Sequence, residues 1–164
     1  VQEGQLKLGY RNETIRLYYP LASLCALTGG EKSAAEMRGA LEEFAKENEP
    51  ELGKIEVSHR GERFCLAVPP QGARWVHEHT DPNGFLPDFI HAIGRHGCTM
   101  EELLAQFHKH SEHVHMEALH NGEFDWLIEF EDGKPDEYCY CIADEGGHLT
   151  YHRFTREDYE AFGF

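Results

Sequence analysis

Five side chains have the types and spacing of a metal site: His77, His79, His108, Glu112 and His115. Imidazole and carboxylate are the ligands that zinc and similar divalent ions take. If Trp75-Val76-His77-Glu78-His79 forms a strand, alternation sends both imidazoles from one face, as in metal sites carried on sheets. The other three follow helical spacing. Along a helix that opens at Thr99 and runs as far as Leu119, His108, Glu112 and His115 fall at i, i+4 and i+7 on one flank of the apolar stripe. His110, His113 and Glu117 fall at i, i+3 and i+7 on the other flank. Either flank presents two imidazoles and a carboxylate to one ion. With a glutamate as base, such a site is that of a metal-dependent hydrolase of the zinc type. The alternative is an exposed helix on which histidine and glutamate pair weakly.

A second group has the chemistry of recognition. Tyr18, Trp75, His152 and Arg153 are the candidates for holding a ligand or a partner, with Tyr19 and Trp126 as further aromatic lining of a pocket between sheet and helices. Arg153 suits bidentate binding of a carboxylate or phosphate. It suits equally well one of the chain's own 30 acidic residues. Gly146-Gly147 lacks the strand–loop–helix setting and following lysine of a phosphate loop. Nucleophile elbows and Cys-x-x-Cys pairs are missing as well. Cys139 and Cys141 alternate with Tyr138 and Tyr140, so they share one strand face, where cysteine behaves as a small hydrophobe.

The elements that must position these groups are legible from periodicity. Ile15, Leu17 and Tyr19 alternate as in a strand. Pro20 then opens a helix with Leu21, Leu24 and Leu27 inward, and Gly29-Gly30 ends it. Ser33 and Glu36 have capping-box spacing ahead of a stripe of Met37, Leu41 and Phe44. From Ile55 the period changes to two, and Arg60-Gly61-Glu62 turns the chain into Phe64–Val68. Phe89, Ile90 and Ile93 follow Pro87 on a further helix. Thr99 and Glu102 form a second capping box. Trp126–Phe130, Tyr138–Ala143 and Leu149–Phe154 read as strands joined by Asp-Gly and Gly-Gly turns, with a final helical turn over Thr155–Tyr159. The expected fold is α+β: an antiparallel sheet of about five to seven strands with helices packed mainly on one face. At 164 residues, with no linker in view, the chain is the size of a single domain spanning 1–164.

Two stretches, Gly9-Tyr10-Arg11-Asn12-Glu13-Thr14-Ile15-Arg16-Leu17-Tyr18-Tyr19-Pro20 and Thr150-Tyr151-His152-Arg153-Phe154-Thr155-Arg156-Glu157-Asp158-Tyr159, join Gly122-Glu123-Phe124-Asp125 and the following Asp-Gly turn in a pattern. It resembles a small bacterial family of uncharacterised proteins, a domain of unknown function. The resemblance spans most of the chain. It implies a bacterial cytoplasmic protein and brings no activity, cofactor or catalytic residue with it.

Charge bounds the partners. The formal net charge is −15, and protonation of all 12 histidines would bring it to −3. Nucleic acid and anionic membranes both demand a basic surface, so neither is expected as a partner. A basic protein is. With five cysteines at irregular spacing, no signal peptide and no spanning apolar run, the chain reads as cytoplasmic. The first residue is Val1, so further N-terminal sequence is expected. The reading that asks least of these residues is a non-enzymatic protein-binding or regulatory module. A zinc-type hydrolase and a small-molecule binding domain are the alternatives.

Overall fold

Two helices start where side chains satisfy the backbone. The Ser33 amide donates to the Glu36 carboxylate at 2.8 Å and the Glu36 amide donates back to Ser33 Oγ at 3.3 Å. Thr99 and Glu102 repeat the arrangement at 3.1 and 3.2 Å. Each box closes two of the donors that a helix start leaves open. The computed structural model describes residues 1–119 and 121–162. Its contacts gather into two compact units, Val1–Thr80 and Asp81–Phe164.

The first unit runs α1 (Gln2–Leu8), β1 (Ile15–Pro20), α2 (Leu21–Thr28), α3 (Ala34–Glu47), α4 (Glu49–Leu52), β2 (Glu56–Arg60), β3 (Arg63–Val68) and α5 (Pro70–Glu78). Its three strands form an antiparallel sheet in the order β1-β3-β2. One face of that sheet is the core: Phe64 and Leu66 meet Leu24 of α2 and Met37, Leu41 and Ala45 of α3. Two members of the expected apolar stripes lie outside it, Leu27 and Phe44, at 42% and 48% exposure.

Residues 75–79 are a correction. Residues 75–78 belong to α5, with His79 as its C-cap, and not to a strand. Pro70 occupies the first turn, where its missing amide loses nothing. Gly72, Ala73 and Val76 then recur at helical spacing, with Gly72 and Ala73 buried. Gly72 is where α5 comes closest to its neighbours. A Cβ there would stand 2.7 Å from Val68 Cγ1 and 2.8 Å from the Leu52 carbonyl oxygen.

The second unit runs α6 (Phe85–Ile93), α7 (Met100–His110), β4 (Val114–Ala118), β5 (Trp126–Phe130), β6 (Cys139–Asp144), β7 (Leu149–Phe154) and α8 (Arg156–Phe162). Its four strands are antiparallel in sequence order. Phe85 and Phe89 of α6 and Phe107 of α7 pack edge to face against Phe130 and Tyr140 of the sheet. The opposite face carries Leu127, Cys139 and Cys141 beneath Tyr159 of α8. Among the described residues the fold is α+β with seven antiparallel strands, as expected, and they are divided between two sheets.

The long helix expected to reach Leu119 is the second correction. It ends at His110, and Ser111 is already extended, with φ −156° and ψ 148°. Val114–Ala118 instead pairs with β5, Val114 opposite Phe130 and Met116 opposite Ile128. Val114 and Met116 fit either period. The partner strand supplies a ladder that an isolated helix turn could not match.

Candidate functional site

Hairpin geometry builds an unusual surface on the first unit. Two residues, Gly61 and Glu62, join β2 to β3, with Gly61 at φ 59°, the positive value that so short a loop favours. That loop fixes the register: Arg60 faces Arg63, Ser58 faces Cys65 and Glu56 faces Ala67. On the other side of β3, Tyr18 is opposite Cys65 and Arg16 is opposite Ala67. Alternation therefore collects these side chains on the face turned away from α2 and α3. Tyr18 is 71% exposed there, and Arg16, Arg60 and Arg63 are exposed too.

No ion pair engages any of the three arginines among the described residues. Like charges directly opposite on neighbouring strands repel, so the Arg60–Arg63 pair leaves an unrelieved positive centre. Glu13 ahead of β1, Glu56 at the far end of β2 and Glu62 in the turn are the carboxylates nearest in sequence. The first unit has ten Lys and Arg against twelve Asp and Glu, a net of −2; the second has five against eighteen, a net of −13. The acidity of the chain is thus concentrated in the second unit.

A groove of about 490 Å³ lies between α1 and β1, lined by Gln5, Leu8, Arg11, Ile15 and Leu17 among others. Gln5 Nε2 donates to the Ala73 carbonyl at 2.7 Å, while its Oε1 is buried with no hydrogen-bond partner.

The residues expected to bind metal are not brought together. His77 lies on the last turn of α5 and His79 caps its end, so they do not share a strand face. His77 stacks on Tyr10 at 4.5 Å and His79 on Trp75 at 4.2 Å. His108 is exposed on α7, Glu112 lies in the connection beyond it, and His115 is on β4, 3.8 Å from Glu117. On the other flank, His110 Nε2 lies 2.6 Å from Asp88 Oδ2, which also accepts from Lys109 Nζ at 2.6 Å. Among the described residues, no three His, Cys, Asp or Glu are grouped to hold a metal.

The Lys109 ammonium, and after it the His110 ring, hold the Asp88 carboxyl below its ordinary 3.8. A depressed carboxyl stabilises the fold above its unfolded value and loses that contribution as pH falls through its folded value. Asp88→Asn should therefore flatten the acid limb of a stability profile. Between about pH 4 and pH 2 the variant should lose less of its melting temperature than the parent does. Parallel profiles for the two proteins would show that Asp88 is not linked to unfolding.

Among the recognition candidates, His152 is exposed on β7 and stacks on Phe154. Trp75 is half-buried. Arg153 is held: its Nη2 donates to Asp136 Oδ2 at 2.7 Å, and its guanidinium lies 4.1 Å over the Tyr138 ring. Tyr140 Oη donates to the same carboxylate oxygen at 2.9 Å. On the far face of this sheet, buried Glu129 accepts from Cys139 Sγ at 3.3 Å and from Arg156. Burial pushes the Cys139 and Cys141 thiols up to about 12, which favours the protonated thiol near neutrality. Of the sequence candidates, Tyr18 alone belongs to the open arginine-bearing face. Arg60 and Arg63 flank a two-residue turn, which dictates that they stand opposite each other, whereas Arg16 joins them only through the pairing of β1 with β3.

Fold and surface thus define an α+β protein of two sheets, one with an open, cationic face. The chain belongs to the family described as "Domain of unknown function, E. rectale Gene description (DUF3877)", whose model matches residues 1–163. That description names a gut bacterium. No curated protein and no solved structure matches the chain. No helix among the described residues is long and apolar enough to cross a membrane.

Proposed function

We propose that the chain is a non-enzymatic protein-binding or regulatory module of the bacterial cytoplasm, and that the open face of the first unit's sheet is its contact surface. One observation carries this reading: an exposed tyrosine stands beside three arginines that no carboxylate among the described residues engages. Tyrosine and arginine are the side chains most enriched where partners bind. The five free cysteines fit a reducing compartment. Selection of a phage-displayed random peptide library on the purified chain, followed by amide NMR mapping, tests it. Selected peptides should shift the amides of β1, β2 and β3. Peptides that map to the second unit, or a selection that yields none, would sink the reading.

A small-molecule binding domain is the second reading, favoured by the groove beside α1 and the buried, unsatisfied Gln5 Oε1. Selected ligands that shift α1 and spare the open face would support it.

A further inference from the structure

From the geometry of that open face we infer its occupant: a short, extended, acidic peptide segment, with two carboxylates four residues apart and an apolar side chain midway between them. This rests on the reading that the face is a contact surface. The chain's net charge points to a basic partner, but charge is felt locally: salt screens exposed charges beyond a Debye length of about 8 Å. What a partner meets on this face is the opposed Arg60 and Arg63 at one end and, at the other, Arg16, with Glu56 on the same rung across Ala67.

The spacing sets the ligand. Arg16 and the Arg60–Arg63 pair are two rungs apart on either side of the rung that holds Tyr18 and Cys65. At about 3.3 Å per residue, the two cationic ends stand roughly 13 Å apart along the strands. In an extended peptide, residues i and i+4 share a face and are separated by the same distance, and i+2 lies between them on that face. Carboxylates at i and i+4 would thus meet the two cationic ends, each by charge-assisted hydrogen bonds to guanidinium. The residue at i+2 would lie on Tyr18 and the small side chains of the middle rung.

Size and charge argue against the other occupants. Three strands about 4.8 Å apart and about 17 Å long offer roughly 250 Å². A stable dimer needs about 800 Å² from each copy, so a short segment fits better than a second copy. A nucleic-acid strand would meet three cations and one aromatic ring, and its phosphates would continue past them onto an acidic protein. Stacking platforms present several aromatics along a basic groove.

The test is fluorescence anisotropy with the full chain and a labelled, end-blocked octapeptide carrying glutamate at two positions four apart and leucine midway. Three comparators are the same peptide with glutamine, the same peptide with lysine, and a ten-nucleotide oligothymidylate. The glutamate peptide should bind at least tenfold more tightly than all three. Arg60→Gln with Arg63→Gln should weaken it at least tenfold, and Tyr18→Ala several-fold. Arg60→Gln removes a like-charge pair, so its melting temperature should be no lower than the parent's. Tighter binding of the lysine peptide or the oligothymidylate, lost in the same variants, would overturn the acidic segment and leave the contact surface standing. Binding of the glutamate peptide that is unchanged in all the variants would overturn both. A failure of the glutamate peptide to bind would overturn the acidic segment, and the library mapping would still decide the surface. A concentration-dependent dimer that the same variants dissolve would replace the peptide with a second copy.

Discussion

Phe89→Ala should destabilise the second unit by about 3–5 kcal/mol, the range for losing a fully buried aromatic side chain. The Phe89 ring has no exposed surface. It lies 4.7 Å from the Tyr140 ring, 4.8 Å from Tyr151 and 5.7 Å from Phe107. These neighbours belong to a helix and two strands whose positions are fixed by their own pairing, so they cannot collapse into the space the ring leaves. Each edge-to-face pair adds about 0.5–1.5 kcal/mol beyond burial. The measurement is urea unfolding followed through Trp126 in a Trp75→Phe background. The midpoint should fall by at least about 1 M. Phe44→Ala removes the same group from an exposed helix position and is the control; followed through Trp75 in a Trp126→Phe background, it should change stability by about 1 kcal/mol or less. Equal losses at the two sites would mean that burial does not govern the effect.

Arg153→Ala should have a comparable effect for a different reason. The side chains of Arg153 and Asp136 are 17% and 10% exposed. Removing the guanidinium leaves the Asp136 carboxylate with the Tyr140 hydroxyl and the Tyr138 amide as its remaining partners. Breaking a buried pair from one side generally costs about 3–5 kcal/mol, because the other charge is stranded. Asp136→Asn in the Arg153→Ala background removes that stranded charge. The double variant should therefore be more stable than Arg153→Ala alone. A double-mutant cycle in urea measures the difference. Additive losses would show that the two side chains do not depend on each other, and would return Arg153 to the surface residues available to a partner.

Much of the local structure could be read from residue order. Both capping boxes, the hairpin turn around Arg60-Gly61-Glu62 and the strands from Trp126 onward follow from spacing alone, because each depends on neighbours a few residues apart. The errors have one physical origin. Trp75–His79 and Val114–Ala118 are five-residue runs whose apolar positions suit either period, and tertiary partners decided each of them. Close packing of Gly72 against Val68 and Leu52 accompanies the helix in the first case. The open edge of β5 drew the second into the sheet. Once those two periods change, the proposed ligands separate, since His77, His79 and His115 were each placed by assuming the other period, while His108 stays on its helix.

The sequence by itself determined the α+β class, the antiparallel pairing and the family, all consequences of order along the chain. Only the tertiary structure decided that the seven strands form two sheets, that Arg153 turns inward to Asp136, and that one face of the first sheet is left open. Those outcomes depend on which distant elements reach a surface first and cover it, and a count of charges or a periodicity along the chain carries no record of that.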